Sequence, residues 1–464
     1  MDTPPLPTDS TPESAVLHRS LHRAPLKVLS ASGHHLHLSN GQRILDATGG
    51  AAVACLGHAN PRIAAAVASQ MSRVSYCHSL TFATDAAEQL ATYLCRTTDG
   101  AMTRAFFVSS GSEAMEAALK MAHQYHLEKP QPEPQRTHFI ARHESYHGTT
   151  LGALAVGGHK SRRALFEPIL SVNTSHVSAC HPYRNRQPGE SDEAYVARLA
   201  DELDAEFRRL GPDTVAAFVA EPVVGAALGC VPSVPGYFKA MKAVCERNGA
   251  LLILDEVMSG CGRTGTLHAW QAPGVGVAPD IQTLGKGLGG GAVPVAAMLV
   301  GKRVVDVLSR GTGAFSHGQT YQGHPVACAA ALETLKTVQE DGLVENVARM
   351  GDMLGRLLME KVGRHKYVGN VRGRGLFWGI EFVKDKETKE PFPLQDGVAM
   401  GVHELGLQEP YNISIYPGTG TVDGKVGDHV LLAPAYNVTQ PDIEEIVDLT
   451  AAVIEAYFRI KDER

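Results

Sequence analysis

The chain lacks any run of about eighteen consecutive apolar residues, the length a membrane-spanning helix needs, and no membrane span is expected. It lacks a bias of charge: 43 Lys and Arg stand against 49 Asp and Glu, a net charge of −6 spread without long runs of either sign. No electrostatic footprint for nucleic acid or an anionic membrane surface is present, and neither is expected as a partner. The eight cysteines, at 55, 77, 95, 180, 230, 245, 261 and 328, contain no Cys-x-x-Cys pair and no regular spacing. A disulfide scaffold and a zinc site are therefore not expected, and reduced, mostly buried thiols are. His34, His35 and His37 alternate with Leu36 and Leu38 as in an exposed strand, so no metal site is assigned to them. Residues 1–14 are rich in Pro, Ser and Thr and lack the basic start and apolar core of a secretion signal; they are predicted to be a disordered tail. Lys461-Asp462-Glu463-Arg464 resembles an ER-retention signal only superficially, and a cytoplasmic location is expected. No repeat recurs at periods of about twenty to fifty residues.

What is present is enough apolar sequence, 44% over 464 residues, for a large core and two or more structural units. Short apolar strands alternate with helical stretches, the pattern of an α/β protein with a parallel or mixed sheet covered by helices. Strands are predicted at 105–108, 137–141, 216–220, 251–254 and 296–300, and helices at 113–123 and 236–248. The proline-rich 130–134 stretch is an exposed connector. Beyond Pro325 the pattern changes to long helices at 326–340 and 343–362, strand and turn at 369–382, and a closing helix at 441–458. This gives an expected division into an N-terminal segment 15–75 and a C-terminal segment 331–464, together a smaller α+β domain, around a large cofactor-binding domain 76–330.

The chemistry concentrates in a few places. Leu284-Gly285-Lys286-Gly287-Leu288 holds a lysine between glycines, where backbone approaches a ligand closely and no neighbouring side chain crowds the amine. Upstream, the apolar run Leu251 to Leu254 ends in Asp255-Glu256, and a carboxylate at the end of a buried strand needs a cationic partner such as a protonated ring nitrogen. An amine ready for a carbonyl and an acid ready for a cationic ring outline a pyridoxal phosphate site, although a glycine-flanked lysine is also an ordinary surface turn. Ser109-Ser110-Gly111-Ser112-Glu113 follows a strand and opens a helix; its free N–H groups and hydroxyls form an anion seat, or simply a serine N-cap. Tyr146 follows another strand and offers a face for a flat heterocycle, with Val257 placed to cover the opposite face. Gly260-Cys261-Gly262-Arg263-Thr264-Gly265 matches a dinucleotide fingerprint and raises a competing reading, an NAD-dependent oxidoreductase. The early Pro273 leaves no room for the long helix that should receive a pyrophosphate, so the segment is read as a loop.

With Gly57-His58-Ala59-Asn60-Pro61, Ser145-Tyr146-His147-Gly148, Ala220-Glu221-Pro222, Leu254-Asp255-Glu256-Val257, Gly262-Arg263-Thr264-Gly265, Thr320-Tyr321-Gln322-Gly323-His324-Pro325 and Val371-Arg372-Gly373-Arg374-Gly375-Leu376, these segments are jointly specific. After about residue 30 the chain resembles the class III pyridoxal phosphate-dependent aminotransferases, in their ω-aminotransferase-like branch. The resemblance implies fold type I, with a mostly parallel seven-stranded sheet in the large domain. It implies pyridoxal 5'-phosphate as cofactor, joined to Lys286 as an internal aldimine (a Schiff base), and transamination from an amine or amino acid to a 2-oxo acid or other carbonyl acceptor. By the same resemblance Lys286, Asp255 and Tyr146 are catalytic; Ser110, Gly111, Ser112, Glu221 and Val257 join them in binding the cofactor. Thr320 is expected to reach across from the other subunit of a homodimer whose active sites are shared. An aminomutase, racemase or decarboxylase of the same family would use the same Lys286 and Asp255.

Two departures bear on substrate. Met258 stands where relatives often carry a glutamine that contacts the ring hydroxyl, and a thioether cannot replace that donor. Leu431 and Tyr416 stand where relatives carry an arginine that clamps a substrate carboxylate, and neither can pair with one. Glu221, the usual companion of such an arginine, is retained; Arg142, Arg263, Arg372 and Arg374 remain, the last three within motifs that look structural. An amino substrate without an α-carboxylate, or one recognised by shape and apolar contact, is expected. The glycine-rich stretch 416–425, carrying Lys425, is read as a long loop: a surface turn, or a cover over the pocket.

Overall fold

Seven short segments pair into one sheet: β1 (Met102–Val108), β2 (His138–Arg142), β3 (Thr174–Val177), β4 (Val215–Ala220), β5 (Leu251–Asp255), β6 (Ile281–Leu284) and β7 (Ala296–Gly301). These come from a computed structural model that describes residues 14–463. The tail expected over residues 1–14 therefore falls, apart from Ser14, outside the described residues. Strand order is β1-β7-β6-β5-β4-β2-β3. β6, β5, β4, β2 and β3 run parallel to one another, and only β7 is antiparallel to both strands beside it. The mostly parallel seven-stranded sheet expected from the resemblance is present.

Every residue of β4 and β5 is buried, which is how a strand covered on both faces behaves. Alternate side chains serve opposite layers. Phe218, Leu252 and Leu254 pack with Leu203 and Phe207 of the helix Asp192–Leu210 and with Phe238 and Met241 of the helix Tyr237–Arg247. Ala217, Val219, Leu251 and Ile253 pack with Met115, Ala118 and Leu119 of helix α1 (Gly111–Glu128). The C-terminal ends of the parallel strands, where open α/β sheets place their ligands, thus emerge beside the start of α1.

Two of the seven strands were not among those predicted. β3, Thr174-Ser175-His176-Val177, lies at the sheet edge and is mostly half-buried, so it has no apolar run to find. β6 buries Gln282 and Thr283 completely in the sheet interior. It does so by satisfying them: Gln282 accepts from Trp270 Nε1 at 3.2 Å, and Thr283 donates to Asp255 at 3.2 Å.

C-terminal strands Val368–Gly373, Trp378–Phe382, Asp428–Leu432 and Tyr416–Thr419 form a second, antiparallel sheet in that order. The N-terminal strands, including the expected one at His35–Leu38, pair with Ile413–Ser414 through Arg43–Asp46. Leu45 and Ile63 from the N-terminal segment share one apolar cluster with Leu354, Leu358, Ile380, Phe382 and Phe458. The 416–425 stretch is not the structureless loop expected. Tyr416–Thr419 is a strand, because Gly418 lets it pass against His429, to which a Cβ would come within 2.2 Å, and the turn beyond closes through Gly420 N–H on Gly427 O at 2.8 Å. Gly260–Gly265 is a turn followed only by the three-residue 3-10 helix Ala269–Gln271, so no pyrophosphate-binding helix follows it. Among the described residues no helix is long and apolar enough to cross a membrane.

The two sheets are tied by a buried ion cluster. Glu381, fully buried on Trp378–Phe382, meets Arg372 at 2.5 Å and Arg184 Nε at 2.6 Å, Arg184 coming from the segment after β3. Removing one member of such a cluster strands buried charge. Glu381→Leu is expected to lower the unfolding free energy by about 3–5 kcal/mol in chemical denaturation; an unshifted midpoint would contradict this reading of the cluster.

Candidate functional site

The ends of β4, β5 and β6, the loop after β2 and the first turn of α1 enclose one cavity of about 270 Å³. Ser110, Gly111, Ser112, Tyr146, Glu221, Asp255, Val257 and Lys286 all line it. These residues are scattered over more than 170 positions of sequence, and the sheet topology alone brings them together. Thr320 is the exception: it is exposed and outside the cavity of its own chain. A larger groove, about 610 Å³ along the flank of α1, contains none of the predicted residues.

α1 begins where β1 ends. Ser110 is its N-cap, accepting from Glu113 N at 3.2 Å, while Glu113 accepts from Ser109 N at 2.8 Å; the two caps hold the first turn open toward the cavity. The helix runs eighteen residues, so its dipole and free N–H groups favour an anion there. Ser112 Oγ accepts from Thr149 N at 3.0 Å and so positions the loop that carries Tyr146. Gly148, at φ +132°, would place a Cβ 2.6 Å from that same Oγ, and a Cβ on Gly111 would come 2.7 Å from Val257 Cγ1. Both glycines are required by close approach around the seat.

Asp255 ends β5 with only 5% of its surface exposed. Its Oδ1 accepts from Val257 N at 3.0 Å and from Thr283 Oγ1 at 3.2 Å, and its Oδ2 lies 2.8 Å from His147 Nδ1. An ionised carboxylate only accepts, so Nδ1 carries the proton. His147 Nε2 is buried with no hydrogen-bond partner among the described residues. Glu221, also 5% exposed, accepts from Tyr146 N and Gly225 N, each at 3.1 Å. Burial raises its carboxyl above the usual range. Among the described residues the carboxylate makes no ion pair with an arginine; Arg142 instead donates to the Glu221 carbonyl at 2.5 Å.

Lys286 follows β6 at φ +43°, in the left-handed region that non-glycine residues seldom occupy. Such strain at a cavity wall marks a constrained position. Burial lowers the amine below its ordinary value, more than Asp255 and Glu221 raise it, with Arg162 adding to the depression. A neutral amine is a nucleophile and a base; an ammonium is neither.

Sequence reasoning assigned no role to His147, although it lies within the quoted Ser145-Tyr146-His147-Gly148. The available signal was adjacency: His147 neighbours the predicted stacking residue Tyr146, and from the loop after β2 it reaches past β4 to the acid that ends β5. The substrate-side departures fall in one place. Leu431 and Tyr416 are register partners in the second sheet and share an apolar cluster with Met258 and Phe377. Of the remaining arginines, Arg263 donates to Leu376 O and Pro434 O, and Arg372 is bound to Gly229 O and Glu381.

A flat cationic heterocycle bearing a phosphate and an aldehyde fits these residues. The phosphate would have the α1 N-terminus, the ring Tyr146 and Val257 on the walls, the ring nitrogen Asp255, and the aldehyde Lys286. The Aminotransferase class-III family model matches residues 16–454. An aminotransferase of Gibberella zeae is 54% identical over 432 residues, covering 93% of this chain and 84% of that protein. An uncharacterised aminotransferase of Schizosaccharomyces pombe is 48% identical over 445 residues, 96% of each. An amine transaminase from an uncultivated Pseudomonas species, solved in the PLP-bound internal aldimine form, superimposes with a TM-score of 0.87 at 31% identity over 98% of this chain and 99% of that one. With fold and sequence agreeing, this chain belongs to the class III aminotransferases, enzymes of fold type I that carry out transamination with pyridoxal phosphate.

Proposed function

We propose that the enzyme takes its amino group from an amine whose reacting carbon bears no carboxylate and passes it to a 2-oxo acid, as a cytoplasmic homodimer with shared active sites. The observation that carries this reading is the company around the cavity: Lys286 and Asp255 line it with Met258, which packs with Leu431 and Tyr416. An amine's apolar substituent is favoured on that wall, and a carboxylate is not.

Bound there, pyridoxal phosphate supplies an electrophilic carbonyl and a cationic ring that absorbs the negative charge developing on the substrate carbon. Asp255 keeps a proton on the ring nitrogen, and His147, Val257 N–H and Thr283 hold the carboxylate in place to do so. Ser110, Gly111 and Ser112 bind the phosphate at the helix start; Tyr146 and Val257 confine the ring; Glu221 fixes the Tyr146 backbone. Lys286, whose amine burial shifts toward its neutral form, takes the proton from the substrate carbon and returns it one stage later.

Sharing of the site between subunits is supported by the surface around Thr320. Tyr321 (58% exposed), Phe82 (63%) and Leu80 (85%) leave apolar area uncovered, and the Tyr76 and Tyr321 rings meet edge-on at 6.1 Å. Clustered exposed apolar side chains of this kind mark a surface that a partner covers. A reducing compartment is supported by eight free cysteines, six of them buried. Residues 76–330 are proposed as the cofactor-binding domain, with 15–75 and 331–464 as the smaller one.

Lys286→Ala is expected to reduce turnover by at least about 10²-fold and to remove the visible absorbance of the cofactor-loaded protein; a variant as active as the wild type would refute the assignment. In solution the protein is expected to run at twice the chain mass, and Thr320→Val to weaken cofactor affinity about tenfold. A monomer binding cofactor with full affinity would overturn the shared site. Across a panel of donors, amines lacking an α-carboxylate should be used and ordinary α-amino acids should be poor. A sharp preference for α-amino acids would defeat the substrate reading.

A further inference from the structure

Two carboxylates and one amine line the cavity: Asp255, Glu221 and Lys286. The cofactor would engage two of them, Asp255 through its ring nitrogen and Lys286 through its aldehyde. Glu221 is left over. Its Oε1 accepts from Tyr146 N and its Oε2 from Gly225 N, each at 3.1 Å. Two main-chain donors thus serve a carboxylate that can accept about four hydrogen bonds. A buried anion in that condition is costly unless a cation meets it.

Among the described residues none supplies that cation. Arg142 is engaged by the Glu221 carbonyl, with its guanidinium 5.8 Å from the centroids of the Tyr237 and Phe238 rings. His147 is turned to Asp255 at 2.8 Å, and no arginine lines the cavity. The wall next to the carboxylate is apolar. Ala226, which follows the donor Gly225, lines the cavity with Val53, Met258 and Val293, and Met258 packs with Leu431 and Tyr416. An uncompensated carboxylate beside an apolar wall suits an aliphatic chain with a cationic end.

We propose that Glu221 binds the distal ammonium of an α,ω-diamine whose other amino group is the one transferred, an assignment that rests on the reading above of a donor without a carboxylate on its reacting carbon. The methylenes lie along the apolar wall, and the far ammonium donates charge-assisted hydrogen bonds to the carboxylate. The pair also bears on the chemistry. Glu221 is one of the two charges that raise the Lys286 amine, so a cation held on Glu221 offsets that rise and favours the neutral base. A monoamine of equal length leaves the carboxylate without a counter-charge. An ω-amino acid brings a second negative charge up to it, which is worse.

The test gives wild-type holoenzyme pyruvate as acceptor and donors matched in chain length. The α,ω-diamines from propane-1,3-diamine to hexane-1,6-diamine are each compared with the amine that ends in methyl and the amino acid that ends in carboxylate on the same number of methylenes. At the best length, kcat/KM for the diamine is expected to exceed that for the methyl-ended amine at least about tenfold, and that for the amino acid by more. Glu221→Gln should abolish the diamine-to-monoamine ratio; any loosening of Tyr146 in that variant falls on both donors alike and leaves a ratio unmoved. Glu221→Asp, which keeps the charge, should retain part of the preference. Wild-type enzyme that uses the methyl-ended amine as well as the diamine at every length, or a diamine preference that Glu221→Gln leaves intact, would overturn the proposal. Should Glu221→Gln not fold, the wild-type ranking and Glu221→Asp carry the comparison. Wild-type enzyme that accepts α-amino acids and none of these amines would instead sink the reading of the donor itself.

Discussion

Everything in the active centre is arranged around one negative charge kept at the end of a buried strand. Asp255 is nearly inaccessible, and a carboxylate in that position is destabilising unless its lone pairs are filled. Three donors do so: the Val257 N–H, the Thr283 hydroxyl and His147 Nδ1. Each comes from a different part of the chain, so the charge is stable only in the folded sheet, with β5 beside β6 and the Tyr146 loop closed over both. The same requirement explains a polar threonine in the interior of β6. It also leaves His147 oriented by its bond to the acid.

Lys286 obeys the complementary rule. Its amine must be neutral to work, and burial shifts it in that direction while its backbone is held in a left-handed conformation. Glycines at 285 and 287 serve close packing here: a Cβ at 285 would press to 3.2 Å from Val257 Cγ1, and one at 287 to 3.1 Å from the Tyr436 hydroxyl. The acid, the amine and the ring-facing residues are therefore fixed by one packing arrangement.

Much of this was legible in the sequence because the signals were local. β4 and β5 are continuous apolar runs, the α1 start is a serine-glycine cap after a strand, and Lys286 lies between glycines; each yields to composition and spacing. What was not legible depended on partners far away in sequence. β6 reads as polar because Gln282 and Thr283 find their acceptors only in the fold, β3 is a short edge strand, and Tyr416–Thr419 reads as a glycine-rich loop until Gly418 is seen to clear His429. The likeness of Gly260–Gly265 to a dinucleotide fingerprint failed for the converse reason: the glycines are there, and the helix is not.

The central claim is that Asp255 keeps the cofactor's ring nitrogen cationic. It is tested most directly by the ¹⁵N chemical shift of pyridine-labelled cofactor in the wild-type protein and in Asp255→Ala, recorded at the same neutral pH. The account predicts a protonated nitrogen in the first and an unprotonated one in the second. The same shift in both proteins would contradict it.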